Sequence, residues 1–212
     1  LNKAIASVAR VANSPASLPI LSNVVLKVVD NRLSVASTNL DIAITHFIGA
    51  KVEQKGAITV PARLMQDFIA SLPSGVLLLE LTDNKLSITT EKYQSTINGT
   101  SIDDYPVMPA ISKGTNWSIS SKLFKRALQQ VIFAASSDET RPVLTGVYLH
   151  TLKGDLYMAA TDSYRLAEKK LQKSKDEVKL LVPASALHDM LRIMDGSEDV
   201  IKITHYDQQR AC

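Results

Sequence analysis

Apolar positions along this chain follow two spacings, and the spacings alternate in the same order twice. Ala4, Ile5, Val8 and Ala12 stand three or four residues apart, which gathers them on one face of a helix. Short strands come next. Val24–Val29 and Arg32–Ser37 flank Asp30-Asn31, a favourable two-residue hairpin turn, and Val76–Leu81 and Lys85–Thr90 flank Asp83-Asn84 in the same way. Between the hairpins, Leu64, Met65, Phe68, Ile69 and Leu72 return to helical spacing behind Pro61. A proline there fits a helix's first turn, where its missing N–H costs nothing. Helices are expected over residues 1–13, 61–72, 121–136 and 183–194.

The alternation is a sequence repeat. Segment 18–41, LPILSNVVLKVVDNRLSVASTNLD, aligns without gaps on segment 141–164, RPVLTGVYLHTLKGDLYMAATDSY. Seven positions are identical at an offset of 123: Pro19/Pro142, Leu21/Leu144, Val24/Val147, Leu26/Leu149, Leu33/Leu156, Ala36/Ala159 and Thr38/Thr161. Average residue usage would give roughly one or two. Upstream, Ala4, Ile5, Val8 and Ala12 fall on Ala127, Leu128, Val131 and Ala135. Downstream the offset becomes 122, and Val60-Pro61-Ala62 falls on Val182-Pro183-Ala184. Such a repeat sets the architecture.

Each unit reads as helix, strands, helix, strands. The fold class is therefore α+β, with antiparallel sheets and two helices per unit laid on one side of them. The expected domains are residues 1–115 and 116–212. Their register also carries an expectation about the ends. The second unit has a strand at Trp117–Ser120 ahead of its helix, and the first continues through Gln94–Gly99 past its second helix. A strand is thus expected before Leu1, and further strands of the second unit after Val200–Thr204.

Composition narrows the class. Hydrophobic residues make up 45% and charged residues 21%, values of a globular chain with a proper core. No uncharged apolar run approaches a membrane span, and the opening residues are not a signal peptide. Cys212 is the one cysteine, which argues against a disulfide framework and fits a reducing cytoplasm. The sequons Asn98-Gly99-Thr100 and Asn116-Trp117-Ser118 read as chance matches.

The net charge of +3 matters less than its placement. The four helices hold Lys3, Arg10, Arg63, Lys122, Lys125, Arg126 and Arg192 against Asp67 and Asp189, 7 basic to 2 acidic, while the rest has 17 basic and 19 acidic residues. Lys3, Ser7 and Arg10 share a face opposite the apolar one, as do Lys122, Arg126 and Gln129, and Ser185, His188 and Arg192. Basic faces without aromatics suit phosphate contact rather than base reading, although ordinary solvated helix faces look the same.

Catalytic patterns are missing. The 8 glycines form no Gly-x-Gly, and His46, His150, His188 and His205 lack ligand spacing. Thr161-Asp162-Ser163 lacks the glycine of an aspartic-protease loop, and Asp103-Asp104 before Tyr105-Pro106 reads as a turn. No enzyme activity, metal or cofactor is expected.

Several segments together resemble one family: Leu18-Pro19-Ile20-Leu21, Val60-Pro61-Ala62-Arg63, Asp104-Tyr105-Pro106, Arg141-Pro142-Val143-Leu144-Thr145-Gly146 and Ala160-Thr161-Asp162-Ser163-Tyr164-Arg165-Leu166-Ala167. Over essentially its whole length the chain resembles the bacterial DNA polymerase III beta subunit, the sliding-clamp family. The resemblance implies three such domains per subunit, here the first and most of the second with the third absent. It implies two subunits in a closed ring, with helices lining the hole and sheets outside. The implied function is to encircle duplex DNA and tether DNA polymerase III subunits, the clamp loader and other proteins carrying a clamp-binding motif, in the cytoplasm. The alternative is a clamp-fold module that binds proteins but not DNA.

By resemblance Arg63 and Arg141 lie near DNA; Lys3, Arg10, Lys122, Lys125, Arg126 and Arg192 join them by helix position. The resemblance also implies a pocket for a partner peptide at Leu144, Thr161, Ser163, Tyr164, Arg165 and Leu166, aliphatic anchors with a polar rim. The chain departs from the family pattern in three places. Asn13-Ser14-Pro15-Ala16 stands where many members carry an arginine, Tyr164 where histidine is common, and Ala184-Ser185 where some place basic residues.

Overall fold

A computed structural model of the chain describes residues 1–12, 18–107, 114–194, 200–206 and 210–211; the 13–16 stretch and Cys212 lie outside them. The residues divide into two compact units, Leu1–Met108 and Pro109–Cys212.

Turn chemistry sets the first hairpin. Asp30 and Asn31 sit at φ 45° and 59°, the left-handed conformation that a tight two-residue turn requires and short polar side chains tolerate. They join β1 (Asn23–Val29) to β2 (Arg32–Thr38), placing Val29 opposite Arg32. With β3 (Ala43–Gly49) and β4 (Ala57–Pro61) these strands form an antiparallel sheet ordered β3-β2-β1-β4. A second sheet is ordered β5-β6-β7, from Leu78–Thr82, Lys85–Thr89 and Gln94–Asn98.

Two helices, α1 (Asn2–Ala12) and α2 (Ala62–Ser71), pack on each other and share one core with both sheets. Ile5 and Val8 of α1, Met65 of α2, Val24 of β1, Val35 of β2, and Ile88 of β6 are completely buried there. Each such side chain contributes about 1.5–3 kcal/mol of transfer free energy. Strand alternation turns Val25 to the opposite face, where it meets Ala36, Tyr105, Ile20 and Ile102 in a smaller cluster.

Tyr105 explains the Asp104-Tyr105-Pro106 motif. A short 3-10 turn, Ile102–Asp104, opens on Ser101, whose hydroxyl accepts from the Asp103 N–H, so the two acids are turn-formers. The turn delivers the Tyr105 ring to the sheet. Its hydroxyl accepts from the buried Thr38 N–H at 3.0 Å and donates to the Asn23 carbonyl at 3.4 Å, and burial pushes its pKa up. Tyr105→Phe would orphan the Thr38 donor. We expect a loss of about 1–3 kcal/mol in urea unfolding; a variant as stable as the parent would show that the hydroxyl is dispensable.

The second unit repeats this plan. β9 (Gly146–Leu152) and β10 (Asp155–Thr161) start 123 residues after β1 and β2, and Lys153 and Gly154 turn the hairpin at φ 51° and 79°. β11 (Leu166–Lys173) and β12 (Lys179–Pro183) complete the order β11-β10-β9-β12. An irregularity at Leu156/Tyr157 makes β11 one residue longer than β3, and a shorter loop before β12 overcompensates. That is how the offset falls from 123 to 122. The helices are α3 (Ser121–Val131) and α4 (Ala184–Ile193). A fourth sheet pairs β8 (Thr115–Ser120) with β13 (Val200–Tyr206), and β13 with β14 (Arg210–Ala211). The unit's core includes Trp117, Phe124, Leu128, Met158, Leu180 and Leu187.

Several boundaries differ from the sequence expectation. Pro61 and Pro183 end β4 and β12 and stand at the N-cap, one residue ahead of their helices. Proline is tolerated in these strands because each lies at the edge of its sheet. The strand expected from Val76 starts at Leu78, leaving Val76 exposed. The helix expected over 121–136 stops at Val131 and tightens into a 3-10 turn, Ile132–Ala134. The tightening buries Ile132 and Ala134, turns Phe133 outward, and lets the Ser136 N–H reach the Leu144 carbonyl at 2.8 Å.

Candidate functional site

Two sites arise from the folded units: the exposed faces of the helices, and a cavity in the second unit. Because the apolar stripes of α1 and α3 are consumed by the cores, Lys3 and Arg10, and Lys122, Arg126 and Gln129, are left exposed. Arg63 on α2 and Ser185, His188 and Arg192 on α4 are exposed as well. Arg192 also pairs with Asp189 at 3.5 Å. Lys125 behaves differently. Half-buried, it donates from Nζ to the Met194 carbonyl at 3.3 Å, where α4 ends, so its charge answers the partial negative charge of that helix terminus.

The loop between β10 and β11 has a twin in the first unit. Thr161 donates to the Arg165 carbonyl and accepts from the Ser163 N–H; Thr38 donates to the Ile42 carbonyl and accepts from the Leu40 N–H. Asp162 Oδ1 accepts from the Tyr164 and Arg165 N–H groups, and Asn39 Oδ1 accepts from Asp41 and Ile42. Ser163 and Leu40 both adopt φ 79°. Thr161 and Ser163 therefore build the turn, and the turn presents Tyr164, 97% exposed.

In the second unit this loop borders an open cavity of about 270 Å³. Leu144, Tyr164 and Arg165 line it, three of the six residues expected at the peptide pocket. Thr161, Ser163 and Leu166 are not among the lining residues; Leu166 stands 70% exposed. Arg141, assigned to DNA by resemblance, also lines this cavity. Ala135–Asp138, just past the 3-10 turn that ends α3, also line it. Asp138 accepts from the Thr140 hydroxyl and N–H, which hold its carboxyl below the usual range. The lining is thus mostly polar, where aliphatic anchors were expected.

Asp162, also in the lining, went unremarked in the sequence as a pocket residue, as did Phe133 beside it. Asp162 Oδ2 accepts from Arg165 Nε at 2.9 Å, and the Arg165 guanidinium carbon lies 5.4 Å from the centre of the Phe133 ring. A cation over an exposed ring contributes about 0.5–1 kcal/mol. The Arg165 backbone N–H, then Tyr164's and the guanidinium, lower the Asp162 pKa against desolvation. Its favourable charge is therefore present above about pH 4 and lost as pH falls through the lowered pKa. The signal in the sequence was the Asn39/Asp162 pairing within the repeat. Among the described residues no cluster of His, Cys, Asp and Glu could hold a metal, and no helix is long and apolar enough to cross a membrane.

Comparison with known proteins places both units. Residues 1–109 match the family described as DNA polymerase III beta subunit, N-terminal domain, and residues 118–210 match DNA polymerase III beta subunit, central domain. The beta sliding clamp of Synechococcus elongatus is 33% identical over 97% of this chain and 57% of its own length. The crystal structure of the DNA polymerase sliding clamp from Bacillus subtilis superposes with a TM-score of 0.90 at 27% identity, covering 97% of this chain and 57% of that one. A sliding clamp from Pseudomonas aeruginosa bound to griselimycin gives 0.88 at 28% identity, covering 98% and 57%. The chain spans about 57% of the length of these relatives.

Proposed function

The chain belongs to the DNA polymerase III beta subunit family, and from that membership we propose that it works as a DNA sliding clamp. In the full-length protein, with its third domain, two subunits join in a ring around duplex DNA, and the ring holds the replicative polymerase, the clamp loader and other DNA-processing proteins on the template. The work is done in the cytoplasm without a reaction, metal or cofactor of its own.

The observation that carries this reading is the placement of charge on the repeated helices. Lys3, Arg10, Arg63, Lys122, Arg126 and Arg192 are exposed while the apolar faces of their helices are buried. A face of that kind meets phosphates at any sequence, as sliding requires, and does not lock onto bases. In the second unit the cavity at Leu144, Tyr164 and Arg165 is the docking site for a partner peptide, and Arg141 belongs to it.

Retention on closed DNA tests the ring. After loading on a nicked circular duplex by a clamp loader and ATP, the full-length protein should stay bound through gel filtration at high salt and leave when the circle is cut. Electrostatic contact alone is weakened steeply by salt and ignores whether the DNA has ends. Equal loss from circles and linear duplexes would sink encirclement; no retention on either, with partner peptides still bound, would favour a protein-binding module.

A further inference from the structure

The twin loops differ in one chemically decisive respect. Asn39 and Asp162 use a side-chain oxygen for the same two backbone N–H groups, so either residue type builds the turn. Asp162 has a second, charged oxygen, and that oxygen holds Arg165 Nε at 2.9 Å. The first unit has Ile42 where the second has Arg165, and no carboxylate at Asn39. The charge is therefore surplus to the needs of the turn. It is a modestly accessible group, with 19% of the Asp162 side chain exposed against 57% of Arg165.

Phe133 supplies the other restraint. The early end of α3 turns this residue outward, 56% exposed, and its ring lies against the guanidinium of Arg165. An aromatic side chain left in water is explained if its use is to carry that cation. An arginine free on its stem would sample many rotamers and lose that freedom on binding a ligand. Held by a carboxylate at Nε and by a ring at its face, it meets the ligand with its Nη donors already placed.

We propose that Asp162 and Phe133 are positioning residues for the peptide site, fixing the Arg165 guanidinium at the cavity so that its Nη groups receive carbonyl or carboxylate oxygens of the docked segment. This rests on the reading of the cavity as the partner-docking site.

The probe is griselimycin, the ligand of the Pseudomonas aeruginosa relative, titrated calorimetrically into the full chain. Leu144→Ala, which alters the lining without touching the latch, reports whether the probe uses this cavity. Asp162→Asn should weaken binding about three- to fivefold, the scale of a partly exposed ion pair. It should leave the unfolding midpoint in place, because Asn39 already builds the same turn. Phe133→Leu should act in the same direction. In an Arg165→Ala background, Asp162→Asn should cause no further loss, since its whole effect runs through Arg165.

Wild-type affinity in Asp162→Asn, or an equal loss in the Arg165→Ala background, would overturn the positioning role. Absence of binding by the wild type, or indifference to Leu144→Ala, would instead overturn the docking site itself, and the positioning role with it.

Discussion

Truncating Phe124 to alanine is expected to destabilise the second unit by about 3–5 kcal/mol, a large share of what a domain of this size has. Phe124 lies on the inner face of α3 with 1% of its surface exposed, in the core that holds Trp117, Leu128 and Met158. Removing the ring loses its transfer free energy and leaves a void that a helix packed on a sheet closes poorly. Trp117, the one tryptophan, sits in the same core and reports the transition by fluorescence during urea unfolding. Phe133 is the internal control, since it is 56% exposed and its truncation should cost about 1 kcal/mol or less, the scale of its contact with Arg165. If the two alanine variants unfolded together, the packing described for α3 would be wrong.

The second large effect concerns DNA. Lys122→Glu with Arg126→Glu takes one exposed face of α3 from two positive charges to two negative ones. Both side chains point to solvent, so the fold should survive, as the unchanged fluorescence of Trp117 would show. Loading onto nicked circular duplex should fall about tenfold or more, and the log–log salt slope of DNA contact should drop by about two, roughly one per lost phosphate contact. Titration with the relative's ligand griselimycin should give the same result as for the parent, because neither residue lines the cavity. Parent-like loading with the same salt slope would remove α3 from the DNA-facing surface. Lys125 is the informative neighbour. Its amine already serves the carbonyl of Met194, so its replacement should act first on stability.

The repeat was legible because every sign of it is local. Helical spacing at Ile5 and Val8, alternation at Val24–Leu26, and a turn at Asp30-Asn31 are each written within a few residues, and the gapless offset copies them. The paired start points of β1/β9 and β2/β10 follow that offset of 123. The basic helix faces were legible for the same reason, since a helix's exposed stripe is the complement of its buried one. The cavity was legible in part. Leu144, Tyr164 and Arg165 entered through the family's motif, whereas Arg141 entered as a DNA contact and lines the cavity as well. Nothing in the spacing between Arg141 and Tyr164 says that the two face one cavity.

The sequence alone therefore determined two units of one α+β plan, their hairpin turns and the charged faces of their helices. Local periodicity and turn stereochemistry act over distances of a few residues and need no partner to be read. Tertiary structure decided where α3 stops, that its continuation walls a cavity, that Asp162 and Phe133 grip Arg165, and that Lys125 caps α4. It also decided that the Tyr105 hydroxyl closes a small second core. These outcomes depend on groups far apart in the chain, 69 residues for Lys125 and Met194 and 67 for Tyr105 and Thr38. A hydrogen bond of that span exists only after the sheets and helices have packed, because packing alone brings its two ends within 3–3.5 Å.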